Sequence, residues 1–155
     1  MKIKIVVIGK STPSFIYEGV DYYLKKIKYM AAVDWIELVP KKKSESAEIT
    51  QKIELEFFEK QIEEKDFVVL LDNNGKMLSS EQLTQQFQNW EHQNIKQLVL
   101  LIGGAFGFHQ NLYQRANFKL SLSPMVLSHQ IVRLFLLEQI YRAYAIKNNL
   151  PYHNP

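Results

Sequence analysis

Residues 67–72 read Phe-Val-Val-Leu-Leu-Asp, and this stretch decides the fold class. Five consecutive apolar residues are typical of a strand that is buried on both faces of a parallel sheet. Parallel strands need long crossover connections, which usually contain a helix. The stretch therefore predicts an α/β fold, with Asp72 at the carboxyl end of a central strand.

Strands and helices are predicted to alternate on either side of this stretch. Apolar and β-branched runs indicate further strands at residues 2–8, 33–39, 98–102 and 118–122. Helices are predicted from Thr12-Pro13 to about residue 30, at 47–64, after the capping-box pair Ser79 and Gln82, at 109–116, and at 126–148. Residues 73–76 predict a turn. Five strands alternating with five helices indicate a mainly parallel sheet flanked by helices.

Length and composition narrow the possible chemistry. The 155 residues suit one domain, and the absence of cysteine excludes a thiol nucleophile, a disulfide framework and an iron–sulfur cluster. No apolar run is long enough to span a membrane, so we expect a soluble, cytoplasmic protein. The net charge of +3 permits an anionic partner, but it is too small to drive strong non-specific binding of nucleic acid.

Familiar catalytic and metal-binding motifs are missing from the sequence. The four histidines, at positions 92, 109, 129 and 153, lack the spacing of a metal site, so no metal is expected. Gly9-Lys10-Ser11 lacks the first glycine of a P-loop. A dinucleotide fingerprint would follow the first strand, whereas the Gly103–Gly107 segment, called here the glycine loop, follows a late one. It is interpreted as a ligand loop, with a plain tight turn as the alternative.

Ligands of parallel sheets bind beyond the carboxyl ends of the strands. This rule points to Gly9-Lys10, to Leu71-Asp72, to the glycine loop and to residues 122–127. His129 and Arg133, spaced to share one helix face, follow directly, and Glu138 and Arg142 have the spacing of an ion pair. An anion site at the start of this helix is one interpretation, and ordinary structural roles are the other.

Four segments together resemble the RlmH family of SPOUT-class methyltransferases. They are Gly75–Glu81 (GKMLSSE), Leu101–Gly107 (LIGGAFG), Ser121–Arg133 (SLSPMVLSHQIVR) and Glu138–Ala143 (EQIYRA), and Pro151-Tyr152-His153 resembles the family's ending. The resemblance covers essentially the whole chain. It implies methylation of N3 of a pseudouridine in 23S ribosomal RNA of the large subunit, as a homodimer. It also implies a single SPOUT domain over residues 1–155 with a C-terminal trefoil knot.

The resemblance further implies S-adenosylmethionine as cofactor. The implied contacts are Leu71, Gly103, Leu122, Ser123, Pro124, Met125, Val126 and Leu127. The family commonly has proline before the histidine, where this chain has Ser128. Because serine can cap a helix, we expect the site to tolerate this difference.

The reaction requires removal of the N3 proton, so a base or a cation must act there. His129 is the predicted base, and Arg133 or Arg142 is expected to stabilise the anion or to hold a phosphate. Tyr152 and His153 are expected to close the site, from the same chain or from a partner. Arg133, Arg115 and Tyr152 are predicted to bind RNA, either in the large subunit or in the assembled ribosome. Two other functions stay open: a nucleotide-binding α/β module without catalysis, and a Rossmann-type dehydrogenase.

Overall fold

The computed structural model describes residues 1–42 and 44–154. Strands and helices alternate along the described chain, as the sequence predicts. They are β1 (Lys2–Ile8), α1 (Ser14–Ile27), β2 (Val33–Leu38), α2 (Ala47–Glu59), β3 (Phe67–Met77), α3 (Ser80–His92), β4 (Gln97–Ile102), α4 (Gln110–Arg115), β5 (Phe118–Ser121) and α5 (Ile131–Lys147).

The five strands form one sheet in the order β2-β1-β4-β3-β5, and every pair in it is parallel. The prediction of a mainly parallel sheet is therefore confirmed. Because all strands run in the same direction, their carboxyl ends lie at one edge of the sheet, and the loops after β1, β3, β4 and β5 lie near one another.

Apolar side chains cover both faces of the sheet. Along β4, Leu98, Leu100 and Ile102 belong to a core cluster with α1, α3 and α5, whereas Val99 and Leu101 belong to a cluster with α2 and α4. This alternation follows from the two-residue period of a strand. It explains why the central strands read as continuous apolar runs.

Three helix boundaries differ from the prediction. Helix α1 begins at Ser14 with Pro13 as its N-cap, so Thr12 is not the cap, and α2 ends at Glu59 rather than near residue 64. Helix α5 begins at Ile131 rather than near residue 126. The predicted capping box of α3 is confirmed, since Ser79 Oγ accepts from the Gln82 N–H and Gln82 Oε1 accepts from the Ser79 N–H.

The predicted turn at residues 73–76 is wrong, because β3 continues through it to Met77. After an irregularity the strand resumes its pairing, with Lys76 opposite Leu120 and Met77 opposite Ser121. A Cβ atom at Gly75 would lie 2.6 Å from the backbone carbon of Leu120. Glycine is therefore present for close approach of two strands, not for a turn.

None of the helices within residues 1–42 and 44–154 combines the length and the apolar character that crossing a membrane requires.

Candidate functional site

A cavity of about 360 Å³ opens beside the irregularity of β3 and at the carboxyl ends of β4 and β5. We call it the first cavity. Leu71, Asp72 and Asn73 line it from β3, and Ile102 lines it from β4. The remaining lining comes from four residues of the glycine loop, from Phe108, and from residues between Leu122 and Val132. The strand-end rule had indicated this edge of the sheet.

Seven of the eight cofactor-binding residues implied by the resemblance line the first cavity. They are Leu71, Gly103, Leu122, Ser123, Met125, Val126 and Leu127. Pro124 is the exception, as it lies in the same loop but does not line the cavity. The sequence therefore brings these residues together as predicted, although their contact with a cofactor stays a prediction.

Serine side chains hold residues 121–130 in a loop instead of a helical turn. Ser121 Oγ donates to the Ser123 carbonyl at 3.0 Å, and Ser123 Oγ accepts from the Met125 N–H at 2.9 Å. Ser128 Oγ accepts from the Ile131 N–H at 3.2 Å. The bonds at Ser121 and Ser123 compete with helix formation, which explains why α5 begins late, whereas the Ser128 carbonyl already accepts from the Val132 N–H. Ser128 thus satisfies a backbone donor at the start of α5, as expected of a serine in place of proline.

Two side chains of helix α2 form hydrogen bonds with the backbone of the glycine loop. Glu54 accepts a hydrogen bond from the Gly104 N–H at 3.3 Å, and Gln51 Nε2 donates to the Phe106 carbonyl at 2.7 Å. A Cβ atom at Gly104 would clash with Glu54 Oε1, so a larger residue there requires the Glu54 carboxyl to move. Burial raises the pKa of Glu54, and the hydrogen bond from Gly104 opposes that shift.

His129 lies at the rim of the first cavity, in the turn before α5. The prediction that it shares a helix face with Arg133 is therefore wrong, although the Arg133 side chain reaches the His129 carbonyl at 2.9 Å. Partial burial and the positive charge of Arg133 both lower the pKa of His129. Its imidazole is accordingly neutral at neutral pH and able to accept a proton.

Asp72 and Tyr113 form a polar pair beside the cavity that the sequence did not indicate. The Tyr113 hydroxyl donates to Asp72 Oδ2, across 41 positions of the chain. Burial and this hydrogen bond raise the pKa of Tyr113 to about 12. No local pattern links the two residues, because they meet only when β3 and α4 pack together.

Arg133 is a structural residue in this protein. Its side chain is fully buried, and it donates to the carbonyls of Ile8, Gly9 and His129 and to Ser11 Oγ. The predicted contact between Arg133 and RNA does not fit this environment, because no nitrogen of the guanidinium faces outward. The residue instead ties the carboxyl end of β1 to α5.

Arg115 lies at the opposite edge of the sheet from the first cavity. Its guanidinium donates to the carbonyls of Glu63, Glu64 and Asp66, which precede β3. Arg115 thus holds the turn before β3, and its predicted RNA contact stays a prediction.

Five side chains meet away from the first cavity, where the end of the chain docks on α3 and α5. We call Glu81, Glu138, Arg142, Tyr152 and His153 the C-terminal cluster. Arg142 and Glu138 form the predicted pair at 2.6 Å, and the Tyr152 hydroxyl donates to Glu138 at 3.1 Å. Arg142 also contacts His153 Nδ1 at 3.2 Å, and His153 Nε2 lies 2.7 Å from Glu81.

The cluster fixes the protonation pattern of His153. Because arginine only donates, Nδ1 of His153 accepts from Arg142, and Nε2 carries the proton that is donated to Glu81. Neither Arg142 nor His153 lines the first cavity. Their predicted catalytic roles, and the RNA contact predicted for Tyr152, stay predictions. Within the described residues, no three His, Asp or Glu side chains are grouped as a metal site would require.

Comparison with known proteins identifies the family to which this chain is similar. A family model described as "Predicted SPOUT methyltransferase" matches residues 1–153. The chain is 40% identical over 157 residues to Ribosomal RNA large subunit methyltransferase H of Christiangramia forsetii, and the match covers 99% of both proteins.

Two solved structures share the fold at low sequence identity. One is a probable methylase family protein from Haemophilus influenzae, with a TM-score of 0.60, 12% identity, and coverage of 99% of this chain and 70% of that one. The other, from Legionella pneumophila, is described as a methyltransferase in complex with bound SAM, with a TM-score of 0.51 and 14% identity. It covers 92% of this chain and 66% of that one.

Proposed function

The chain belongs to the SPOUT methyltransferase family, and on that premise we propose that it methylates ribosomal RNA of the large subunit, using S-adenosylmethionine. The acceptor we propose is N3 of a pseudouridine. The observation that carries the proposal is the first cavity, where the strand-end loops and His129 meet. We also propose the family's C-terminal trefoil knot and a single domain over residues 1–155.

The first cavity suits S-adenosylmethionine in volume and in lining. Its volume of about 360 Å³ lies within the usual range for small-molecule cavities. Leu71, Leu122 and Leu127 offer apolar walls for an adenine ring, and the glycine loop exposes backbone groups that suit its polar edge. The SAM-bound protein from Legionella pneumophila, which shares the fold, supports this choice of cofactor. When bound, the cofactor supplies an electrophilic methyl group on a sulfonium.

His129 is the proposed proton acceptor. N3 of pseudouridine carries a proton, and its lone pair becomes strongly nucleophilic only when that proton leaves. The lowered pKa of His129 keeps its imidazole in the accepting form at neutral pH. The proton passes to the imidazole as the N–C bond forms and the C–S bond breaks, so no covalent intermediate with the protein is needed.

Arg142 and His153 serve the reaction only if a second copy of the chain supplies them. Within one chain they belong to the C-terminal cluster and not to the lining of the first cavity. Large apolar side chains are exposed on α1, on α5 and on the loop between β5 and α5, which favours a homodimer. The most exposed of these are Phe15, Tyr17, Tyr22, Met125 and Val126.

A mixing experiment tests the shared site. His129→Ala and His153→Ala chains are each expected to be strongly impaired as homodimers. If one chain supplies His129 and its partner supplies His153, a mixed dimer contains one intact site, and activity returns on mixing. If both residues act within one chain, mixing restores nothing, and the shared-site proposal is wrong.

Cofactor and substrate are tested in separate experiments. Calorimetric titration should show binding of S-adenosylmethionine and none of NAD, which separates the proposal from a Rossmann-type dehydrogenase. Ribosomes that lack the modification should then gain one methyl group at a pseudouridine. Binding without methyl transfer would instead indicate a nucleotide-binding module. We propose the cytoplasm as the location, because the substrate resides there.

A further inference from the structure

A second cavity, of about 490 Å³, opens at the carboxyl ends of β1 and β2. Its apolar walls are Ile8 at the end of β1, Val39 and Pro40 beyond β2, and Ile53 of α2. This volume also lies within the range of cavities that bind small organic groups. Both cavities open at the same edge of the parallel sheet, since both lie beyond the carboxyl ends of strands.

Glu54 lines the second cavity and bonds to the glycine loop that lines the first. Its Oε2 accepts from the Gly104 N–H in the wall of the first cavity, and the same side chain lines the second. The residue is only 7% exposed, yet Oε1 accepts no hydrogen bond from the described part of the chain. No buried side-chain oxygen or nitrogen among the described residues lacks a partner, so Oε1 remains accessible, and it can accept an N–H from a ligand.

Two lysines supply positive charge to the second cavity. Lys10 and Lys42 both line it and are exposed. Neither ammonium group forms an ion pair with an acidic residue among residues 1–42 and 44–154. The cavity thus combines apolar walls, an accessible carboxylate acceptor and two free cations, which complement a base, its N–H edge and its phosphates.

We propose that the second cavity binds a nucleotide of the substrate RNA. The base lies between the apolar walls and donates to Glu54, and the flanking phosphates contact Lys10 and Lys42. The inference rests on the proposed RNA methyltransferase function and deepens it, because it assigns a second subsite for the same RNA. Glu54 is then a specificity residue that touches the RNA and also positions the glycine loop.

The lysines are tested by steady-state methylation of ribosomal subunits that lack the modification. The double variant Lys10→Ala/Lys42→Ala should raise KM for the subunits about tenfold, with kcat and the S-adenosylmethionine Kd unchanged. The control is Lys52→Ala/Lys65→Ala, which removes the same charge from exposed lysines outside both cavities. An equal rise in KM for both variants overturns the subsite, because only bulk charge would then matter.

Glu54 is tested by the Glu54→Gln variant, whose amide oxygen still accepts from the Gly104 N–H while an NH₂ group replaces the other oxygen. We expect KM for the subunits to rise several-fold while the S-adenosylmethionine Kd holds. A change in the S-adenosylmethionine Kd alone would mean that Glu54 serves only the glycine loop, and it would overturn the assignment of Glu54 to the RNA.

A direct titration separates the subsite from the reaction. Millimolar uridine 5′-monophosphate should shift the amide NMR signals of Thr12, Val39 and Ile53 in the wild-type protein and in the Lys52/Lys65 control. It should not shift them in the Lys10/Lys42 variant. Absence of these shifts in the wild type overturns the subsite. Failure of the wild type to methylate RNA overturns the proposed function instead, and the titration still decides the subsite.

Discussion

Replacing Arg133 with methionine should destabilise the protein by about 3–5 kcal/mol. The guanidinium satisfies three backbone carbonyls, those of Ile8, Gly9 and His129, and the hydroxyl of Ser11. A buried acceptor that loses its donor costs roughly 1–3 kcal/mol, and entry of water recovers part of that cost. Since whole domains are stable by about 5–15 kcal/mol, this one residue accounts for a large share.

The measurement is urea unfolding followed by tryptophan fluorescence, for which the buried Trp90 is a suitable probe. Thermal unfolding should show a fall in Tm of roughly 10 °C. Arg133→Lys is the matched variant, because it keeps the charge but lacks the planar fork that reaches several acceptors at once. We expect it to lose about half as much stability as the methionine variant.

An RNA-binding Arg133 would behave in the opposite way. Methionine would then leave the unfolding midpoint unchanged and would lower the salt dependence of RNA binding by about one phosphate contact. The Arg133→Lys variant would preserve most of that salt dependence, because it keeps the positive charge. An unfolding free energy within about 0.5 kcal/mol of the wild type, the range of ordinary surface substitutions, would refute the structural role argued for Arg133.

Three further outcomes are expected. The wild-type rate should fall at pH values below 6.5, because protonation removes the accepting form of His129, whose pKa is lowered from that value. His129→Ala should lose about 100-fold in kcat, and its rate should no longer fall at acidic pH. A variant with the pH profile of the wild type would exclude the base role. Gly104→Ala puts a Cβ atom against Glu54 Oε1 and displaces the carboxyl that holds the glycine loop, so calorimetry should show S-adenosylmethionine affinity about tenfold weaker. Wild-type affinity would mean that the contact between Glu54 and the loop does not shape the cofactor site. Glu138→Ala removes the acceptor shared by Arg142 and Tyr152, so carboxypeptidase should release the chain end faster at a stability loss of about 1 kcal/mol; an unchanged digestion rate would mean that other contacts hold the end.

Sequence patterns predicted correctly those elements that depend on neighbouring residues alone. The apolar run at residues 67–71 forms a strand buried on both faces, and Ser79 with Gln82 forms the capping box of α3. The first cavity also follows from the sequence, since parallel strands carry their ligand loops at one edge. Seven residues implied by the family resemblance line it.

Sequence patterns gave wrong predictions where contacts with residues distant in the chain decide the conformation. Residues 73–76 are turn formers by composition, yet pairing with β5 draws Lys76 and Met77 into the sheet. Likewise, residues 126–130 are not helical, because serine hydrogen bonds and the cavity lining hold them in a loop. Arg133 illustrates the same limit, since its acceptors at Ile8 and Gly9 are more than 120 positions away.

The arginines of this chain are committed to the fold, which changes how RNA recognition must work. The sequence holds three arginines and sixteen lysines. Arg115 holds carbonyls before β3, Arg133 holds the end of β1, and Arg142 is bound to Glu138 and His153. Lysines must therefore meet the phosphates, as single point charges without the bidentate geometry of a guanidinium. With a net charge of only +3, the proposed RNA binding depends on a shaped subsite that gathers few lysines at the right spacing, and the one we propose holds Lys10 and Lys42 beside Glu54.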